Sequence, residues 1–224
     1  MSNEETKEKD EQMIVKSYYI VKTLMIGSLI ILIILSLFIQ KKEILLIIYL
    51  EIFITTISSI LYTIFIKKIQ YYQKNQIPVS WNDISKTRYF GWMLTTPAML
   101  TVLCLVLAYN SKTVLHSFTL FSIILLDLLM LLFGYLGELH MIDKIYAMVL
   151  GFIPFIAMFS IIYMKFIQKN NIFVNQLLFV LYLLFWSIYG IVYIIDEKYK
   201  NIITNVLDFV AKGLIGMGIS VYYL

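Results

Sequence analysis

Lys212 lies halfway along the last apolar stretch of the chain, Asn201 to Tyr223, in the run Leu207-Asp208-Phe209-Val210-Ala211-Lys212-Gly213. A lysine at the centre of a bilayer helix costs on the order of 3 kcal/mol or more, so it is normally retained for a task. At i,i+4 spacing the Asp208 carboxylate and the Lys212 amine share one face and can pair inside a bundle. One reading is a structural ion pair in which each partner offsets the burial cost of the other. The other is an amine that forms a Schiff base.

Further polar residues fall inside apolar stretches. Glu51, about two turns into its stretch, is too deep to be free of cost, and is expected to face a polar cavity or to pair across helices. Asp127 sits between leucines, where a neutral, hydrogen-bonding acid is the expected form. Lys22 is close enough to a membrane edge to snorkel as an anchor, and His116 reads as an interfacial residue. Arg88, Trp92 and Thr95 follow i, i+4, i+7, which sets a cation, an aromatic slab and a hydroxyl in one column. Pro97 follows Thr96, and hydroxyls such as Thr95 or Thr96 can satisfy the carbonyl it frees. Trp186, Tyr189 and Tyr193 share another face.

The elements that position these residues are long apolar segments. The 224 residues are 61% hydrophobic and 14% charged, which excludes an ordinary soluble domain. Stretches of about 20 apolar residues recur at 18–39, 44–66, 89–109, 114–136, 145–164, 173–195 and 201–223, each long enough to cross a hydrocarbon core of roughly 30 Å. The expected fold is an all-α membrane protein, a seven-transmembrane helix bundle with a long polar loop between helices 2 and 3, Lys67 to Thr87, that could hold a small hairpin. A polar N-terminal segment, 1–17, precedes the seven-helix domain, 18–224. Its acidic character does not match a cleavable signal peptide, and the first span is expected to act as an uncleaved insertion signal. Cys104 is the single cysteine, so neither a disulfide framework nor a thiol metal site can form. A net charge of +4 without clustered basic residues does not suit nucleic acid. No repeat of 20 to 50 residues points to a transporter of two related halves. Lysines favour the N-terminus and the even-numbered connections: Lys7, Lys9, Lys16, Lys67, Lys68, Lys74, Lys86, Arg88, Lys144, Lys198 and Lys200. Taken literally, that places the N-terminus in the cytoplasm.

Four motifs in order resemble the microbial (type 1) rhodopsins. They are Arg88-Tyr89-x-x-Trp92-x-x-Thr95-Thr96-Pro97, Asp127-x-x-Met130-x-x-x-Gly134, Trp186-Ser187-x-Tyr189 and Leu207-Asp208-x-x-Ala211-Lys212. The first two helices match only in hydrophobicity. The resemblance implies a multi-pass membrane protein, not an enzyme, with all-trans-retinal held as a protonated Schiff base on Lys212 and Asp208 as counterion. Trp92 and Trp186 would sandwich the polyene, and Tyr89, Thr95, Thr96, Met99, Asp127, Met130, Gly134 and Tyr189 would complete the site. Thr96 and Asp127 resemble the pair that links helices 3 and 4 and influences photocycle speed. The family's polarity puts the N-terminus and Arg88 outside and takes precedence over the lysine count. The implied partners are retinal, small ions and the lipid bilayer, with assembly into a homo-oligomer.

Departures from the family pattern direct the functional expectation. Where proton pumps of the family place an acceptor carboxylate, three residues after the arginine, this chain has Gly91, and the cytoplasmic donor position is Val102. Outward proton pumping by the usual route is therefore disfavoured. Gly190 replaces the usual proline after Tyr189, and the fifth helix lacks the usual Trp, so a shifted absorption maximum is expected. A light-gated ion channel with a path past Glu51, Asp208 and Arg88 is expected first. A light-driven anion pump using the space at Gly91 for a halide comes second, and a photosensor acting through a separate transducer third. A protein that has lost retinal is the reading that Lys212 argues against.

Overall fold

A computed structural model of the chain describes residues 3–169 and 171–224; the side chains of Lys7 and Lys198, both in the lysine count, lie outside the described residues. Helices α1 (Asn3–Ser36), α2 (Lys42–Lys74), α3 (Trp81–Ser111) and α4 (Ser117–Glu138) are followed by α5 (Lys144–Ile162), which ends in a π-helical turn, Tyr163–Ile167. After α6 (Phe173–Val192), the seventh span is built from α7 (Glu197–Asp208), a π-helical turn (Phe209–Leu214) and α8 (Ile215–Tyr222). Seven helical segments are long and apolar enough to cross a membrane. No strand occurs among the described residues.

Consecutive helices pack side by side, and the seventh span closes the ring against α1 and α2. α1 extends through the described part of the polar N-terminal stretch because Ile14 and Tyr18 bury against α2 residues such as Tyr62, Phe65 and Ile69. The long loop expected at Lys67–Thr87 is a correction: α2 continues to Lys74 and α3 starts at Trp81, leaving residues 75–80 as the connection, with no hairpin. Both helices outrun the lipid because their polar ends find partners. Ser80 caps α3 by accepting from the Asp83 amide, and Lys68 Nζ donates to Asp83 at 2.8 Å and to Thr87 at 2.8 Å.

Apolar packing divides at the level of Lys212. Toward the Asn110 end of the bundle, Leu100, Val102, Leu103, Val106, Leu107, Ile162 and Ile219 form a dense aliphatic core. Outward-facing Ile153, Ile156 and Leu125 remain exposed, as a lipid-facing surface requires.

Candidate retinal site

The seventh span carries polar residues at Asn201, Asn205, Asp208 and Lys212, a 4-3-4 spacing that keeps one stripe turned inward. α2 repeats that spacing with Glu51, Thr55, Ser58 and Tyr62, all buried. Between Asp208 and Lys212 the backbone widens into the π-helical turn, and the Lys212 amine still donates to Asp208 Oδ1 at 2.6 Å. Both residues are at most 3% exposed.

Asp208 collects donors from three other helices. Oδ1 also accepts from Tyr189 at 3.0 Å and Trp92 Nε1 at 3.3 Å, while Oδ2 accepts from Arg88 Nη1 at 2.8 Å and lies 3.0 Å from the Tyr62 hydroxyl. A carboxylate held this way suits a fixed counterion better than a proton acceptor. Arg88 is held in turn: Nη2 donates to Tyr18 at 2.8 Å and Asn205 at 2.9 Å, and the Phe65 ring lies 5.1 Å from the guanidinium carbon. Tyr18 donates to Asn201 at 2.6 Å, and Asn205 to Ser17 at 2.8 Å, so α1 joins the network.

A cavity starts at Lys212 and runs between α3, α4, α5 and α6. Tyr89, Trp92, Thr96 and Met99 line it from α3, Met130 and Gly134 from α4, and Trp186 and Tyr189 from α6. The fifth helix contributes Met148, Gly151, Phe152 and Phe155. Glycine is required at two points. A Cβ on Gly134 would stand 2.5 Å from the Tyr89 hydroxyl, and one on Gly190 would stand 2.6 Å from the Phe152 ring. Trp92 packs edge-on to Tyr89 and Tyr189, Trp186 packs against Phe159 and Tyr182, and no ring contact joins the two tryptophans across the slot. A long apolar ligand tethered to an amine fits such a slot.

Two residues expected in the pocket stand behind its lining. Thr95 is fully buried and returns its hydroxyl to the Gly91 carbonyl at 3.1 Å. Asp127 reaches the cavity only through Thr96, whose hydroxyl lies 2.7 Å from its carboxyl group and 2.9 Å from the Trp92 carbonyl. One hydroxyl proton cannot serve two acceptors, so a neutral Asp127 donating to Thr96 satisfies the trio. Neither threonine bonds to the Met93 carbonyl that Pro97 frees; they take the two carbonyls before it. Glu51 is 2% exposed on the far side of Lys212, with one carboxylate oxygen 2.6 Å from where a Gly216 Cβ would stand. The space beside Gly91 is filled, since a Cβ there would stand 2.0 Å from a Leu61 methyl.

Sequence reasoning missed the far end of the cavity. Glu138, fully buried at the end of α4, pairs with Lys200 of α7 and stands 3.8 Å from Lys144, while Glu197 bridges Lys144 at 3.2 Å and Lys200 at 3.5 Å. Asn82 donates to Glu138, and the Tyr193 ring lies 5.3 Å from the Lys200 amine. The 4-3-4 stripe could have found Asn201 and Asn205; nothing local pairs Glu138 with Lys200. Lys68, Arg88, Lys144 and Lys200, all in the lysine count, are tied into ion pairs, which weakens that count as an orientation signal.

Fold and site together define a seven-helix membrane protein with a buried amine and counterion at the head of an aromatic slot. The chain belongs to the bacteriorhodopsin-like protein family, whose profile matches residues 12–222. Among solved structures, it is similar to the viral rhodopsin OLPVRII, at 27% identity and a TM-score of 0.85, over 94% of this chain and 97% of that one. It is also similar to the proton-pumping rhodopsin AR2 of the marine alga Acetabularia acetabulum (21%, TM-score 0.74, 93% of each chain). Xanthorhodopsin, a light-driven ion pump with a dual chromophore, matches at 18% and a TM-score of 0.76, over 95% of this chain and 93% of that one. No curated protein sequence matches the chain. As a member of this family it is a multi-pass membrane protein that binds retinal as a Schiff base on a lysine.

Proposed function

We propose that the chain is a light-gated ion channel in which Lys212 holds retinal and Asp208 is the counterion. Bound retinal supplies light absorption and a change of shape on excitation. The protein's own residues do the rest. Trp92 and Trp186 fix the ligand plane, and Asp208 balances the cationic nitrogen while anchoring Arg88, Tyr62 and Tyr189. Motion at Lys212 therefore pulls on α2, α3 and α6 through a single carboxylate.

Glu51 carries the channel reading. Its buried carboxylate has no hydrogen-bond or ion partner among the described residues and lies one turn beyond Lys212, where an ion leaving the Arg88 half would next need a charge. Gly91 supplies no carboxylate at that point, which argues against a proton pump of the usual outward kind. The second reading is a light-driven pump, favoured by the pumps among the similar solved structures and by the direct contact of Asp208 with the amine. On this reading the N-terminus and Arg88 face outside, in line with the polarity that the motifs imply. Photocurrent against voltage in retinal-supplied cells tests the proposal. A reversal potential that follows the ion gradient is expected, and a current of one sign at all voltages would replace the channel by a pump.

A further inference from the structure

At the Arg88 end the cavity stops at four charges drawn from three helix termini. Glu138 is the last residue of α4, Lys144 the first of α5, and Glu197 and Lys200 belong to the first turn of α7. A helix dipole disfavours an anion at a C-terminus and a cation at an N-terminus, so Glu138, Lys144 and Lys200 all stand where local helix preference is against them. They are kept for one another. Each carboxylate reaches both amines: Glu138 pairs with Lys200 and stands 3.8 Å from Lys144, and Glu197 stands 3.2 Å from Lys144 and 3.5 Å from Lys200. The Tyr193 ring is within reach of both amines, 5.3 Å from Lys200 and 6.0 Å from Lys144.

The quartet has an inside and an outside. Glu138 and Lys200 line the cavity, their side chains 0% and 10% exposed, whereas Lys144 and Glu197 do not line it and are 31% and 36% exposed. A permanent closure would be made at least as well by apolar side chains, because a buried ion pair gains little over a hydrophobic replacement. What the quartet allows is a change of partners. Glu138 Oε2 already faces Lys144, and Glu197 meets both amines with Oε1 while its Oε2 is buried without a hydrogen-bond partner among the described residues. A buried acceptor left open is uncommon and calls for an occupant. If Lys200 moves to Glu197 as Lys144 moves to Glu138, every charge stays paired and the open acceptor is filled.

We propose that this quartet is a partner-exchange gate at the Arg88 end of the retinal cavity. In the present pairing, Glu138 with Lys200 keeps the cavity shut. In the exchanged pairing, Glu138 with Lys144 and Glu197 with Lys200, the Lys200 side chain leaves the cavity wall and admits water and small polar solutes. The gate controls access and serves a channel or a pump alike; it rests on retinal at Lys212, which the colour of Lys212→Ala decides separately.

The test uses the purified retinal-bound protein. Hydroxylamine, a small nucleophile, cleaves a Schiff base only where it reaches it, so the rate at which the visible band is lost in the dark reads the gate. Glu138→Gln removes the inner pair and hands Lys200 to Glu197, and bleaching should quicken about tenfold or more. Glu197→Gln and Lys144→Gln leave the inner pair intact and take from the exchanged pairing a partner it needs, so each should slow bleaching about two- to fivefold. A merely structural clamp would loosen with any of the three, and all would bleach faster. Unchanged or faster bleaching in either Glu197→Gln or Lys144→Gln overturns the proposal, whatever Glu138→Gln does, since these two half-exposed residues can be replaced without leaving a buried charge unpaired. The photocurrent test of the channel is independent of either result.

Discussion

On the Arg88 side of Lys212 the bundle interior is held by ions, and on the Asn110 side by aliphatic packing with a neutral clasp. The first half runs from Asp208 and Arg88 through Asn201 and Asn205 to Glu138 and Lys200, with a cavity alongside. The second is filled by Val102, Leu103, Val106 and Leu107, which leave Glu51 as its buried carboxylate. It closes where Tyr223 donates to Asn110 at 2.7 Å, Asn110 to Asn175 at 2.8 Å, and Asn175 to the Leu107 carbonyl at 3.0 Å. Charges that are mutually paired can line a path without opening it, whereas an aliphatic plug has to be moved aside. In a channel of the kind proposed, this difference would put the barrier to ions in the Asn110 half and the trigger in the Arg88 half.

The strongest way to break this division is at its hinge. Lys212→Ala should abolish the visible band after reconstitution with retinal. Lys200→Ala should keep it, although both lysines face the cavity. A coloured Lys212→Ala protein would remove the basis of the site.

Asp208→Asn comes next. It leaves Arg88 buried without its carboxylate, at about 3–5 kcal/mol of stability by the usual cost of breaking a buried pair. An anion beside the retinal nitrogen favours its protonated form, so losing the anion should let the visible band give way to a near-ultraviolet form as pH rises, about 1–3 pH units earlier than in the parent. Thermal unfolding and a spectroscopic titration measure the two effects. An unchanged titration would mean that another group is the counterion.

Glu51→Gln tests the other half. Shape is kept and charge removed, so colour should stay nearly constant while the reversal potential in two salt gradients, or the current amplitude, changes. If both stay the same, Glu51 belongs to packing against Gly216.

The smallest effect is expected at the clasp. Asn175→Leu removes two hydrogen bonds of about 1 kcal/mol each. If the clasp breaks on opening and re-forms in the transition state for closing, flash photolysis should show the open form persisting about fivefold longer or more. An unchanged closing rate would mean that the clasp survives opening or re-forms only after closing.

Much of the Arg88 half is legible along the chain, because a polar residue inside an apolar span is conspicuous and helical spacing says which others share its face. Asp208 with Lys212 is one turn of one helix, and Trp92 falls on the same face as Arg88. The clasp was not legible: Asn110 and Asn175 sit at helix ends, where an asparagine is ordinary, and only folding brings them within 2.8 Å. The loop after α2 was misread because polar residues at a span's end look the same whether the helix stops or continues into water.

Composition and periodicity by themselves determined seven spans, a buried amine with its carboxylate and an aromatic column beside them, since lipid enforces hydrophobicity and the helix fixes which residues share a face. Tertiary structure decided what stands next to what. Leu61 occupies the space beside Gly91, Glu138 finds Lys200 across the bundle, and Tyr18 reaches Arg88. Those relations join distant segments, and no local spacing rule encodes the distance between helices that only packing brings together.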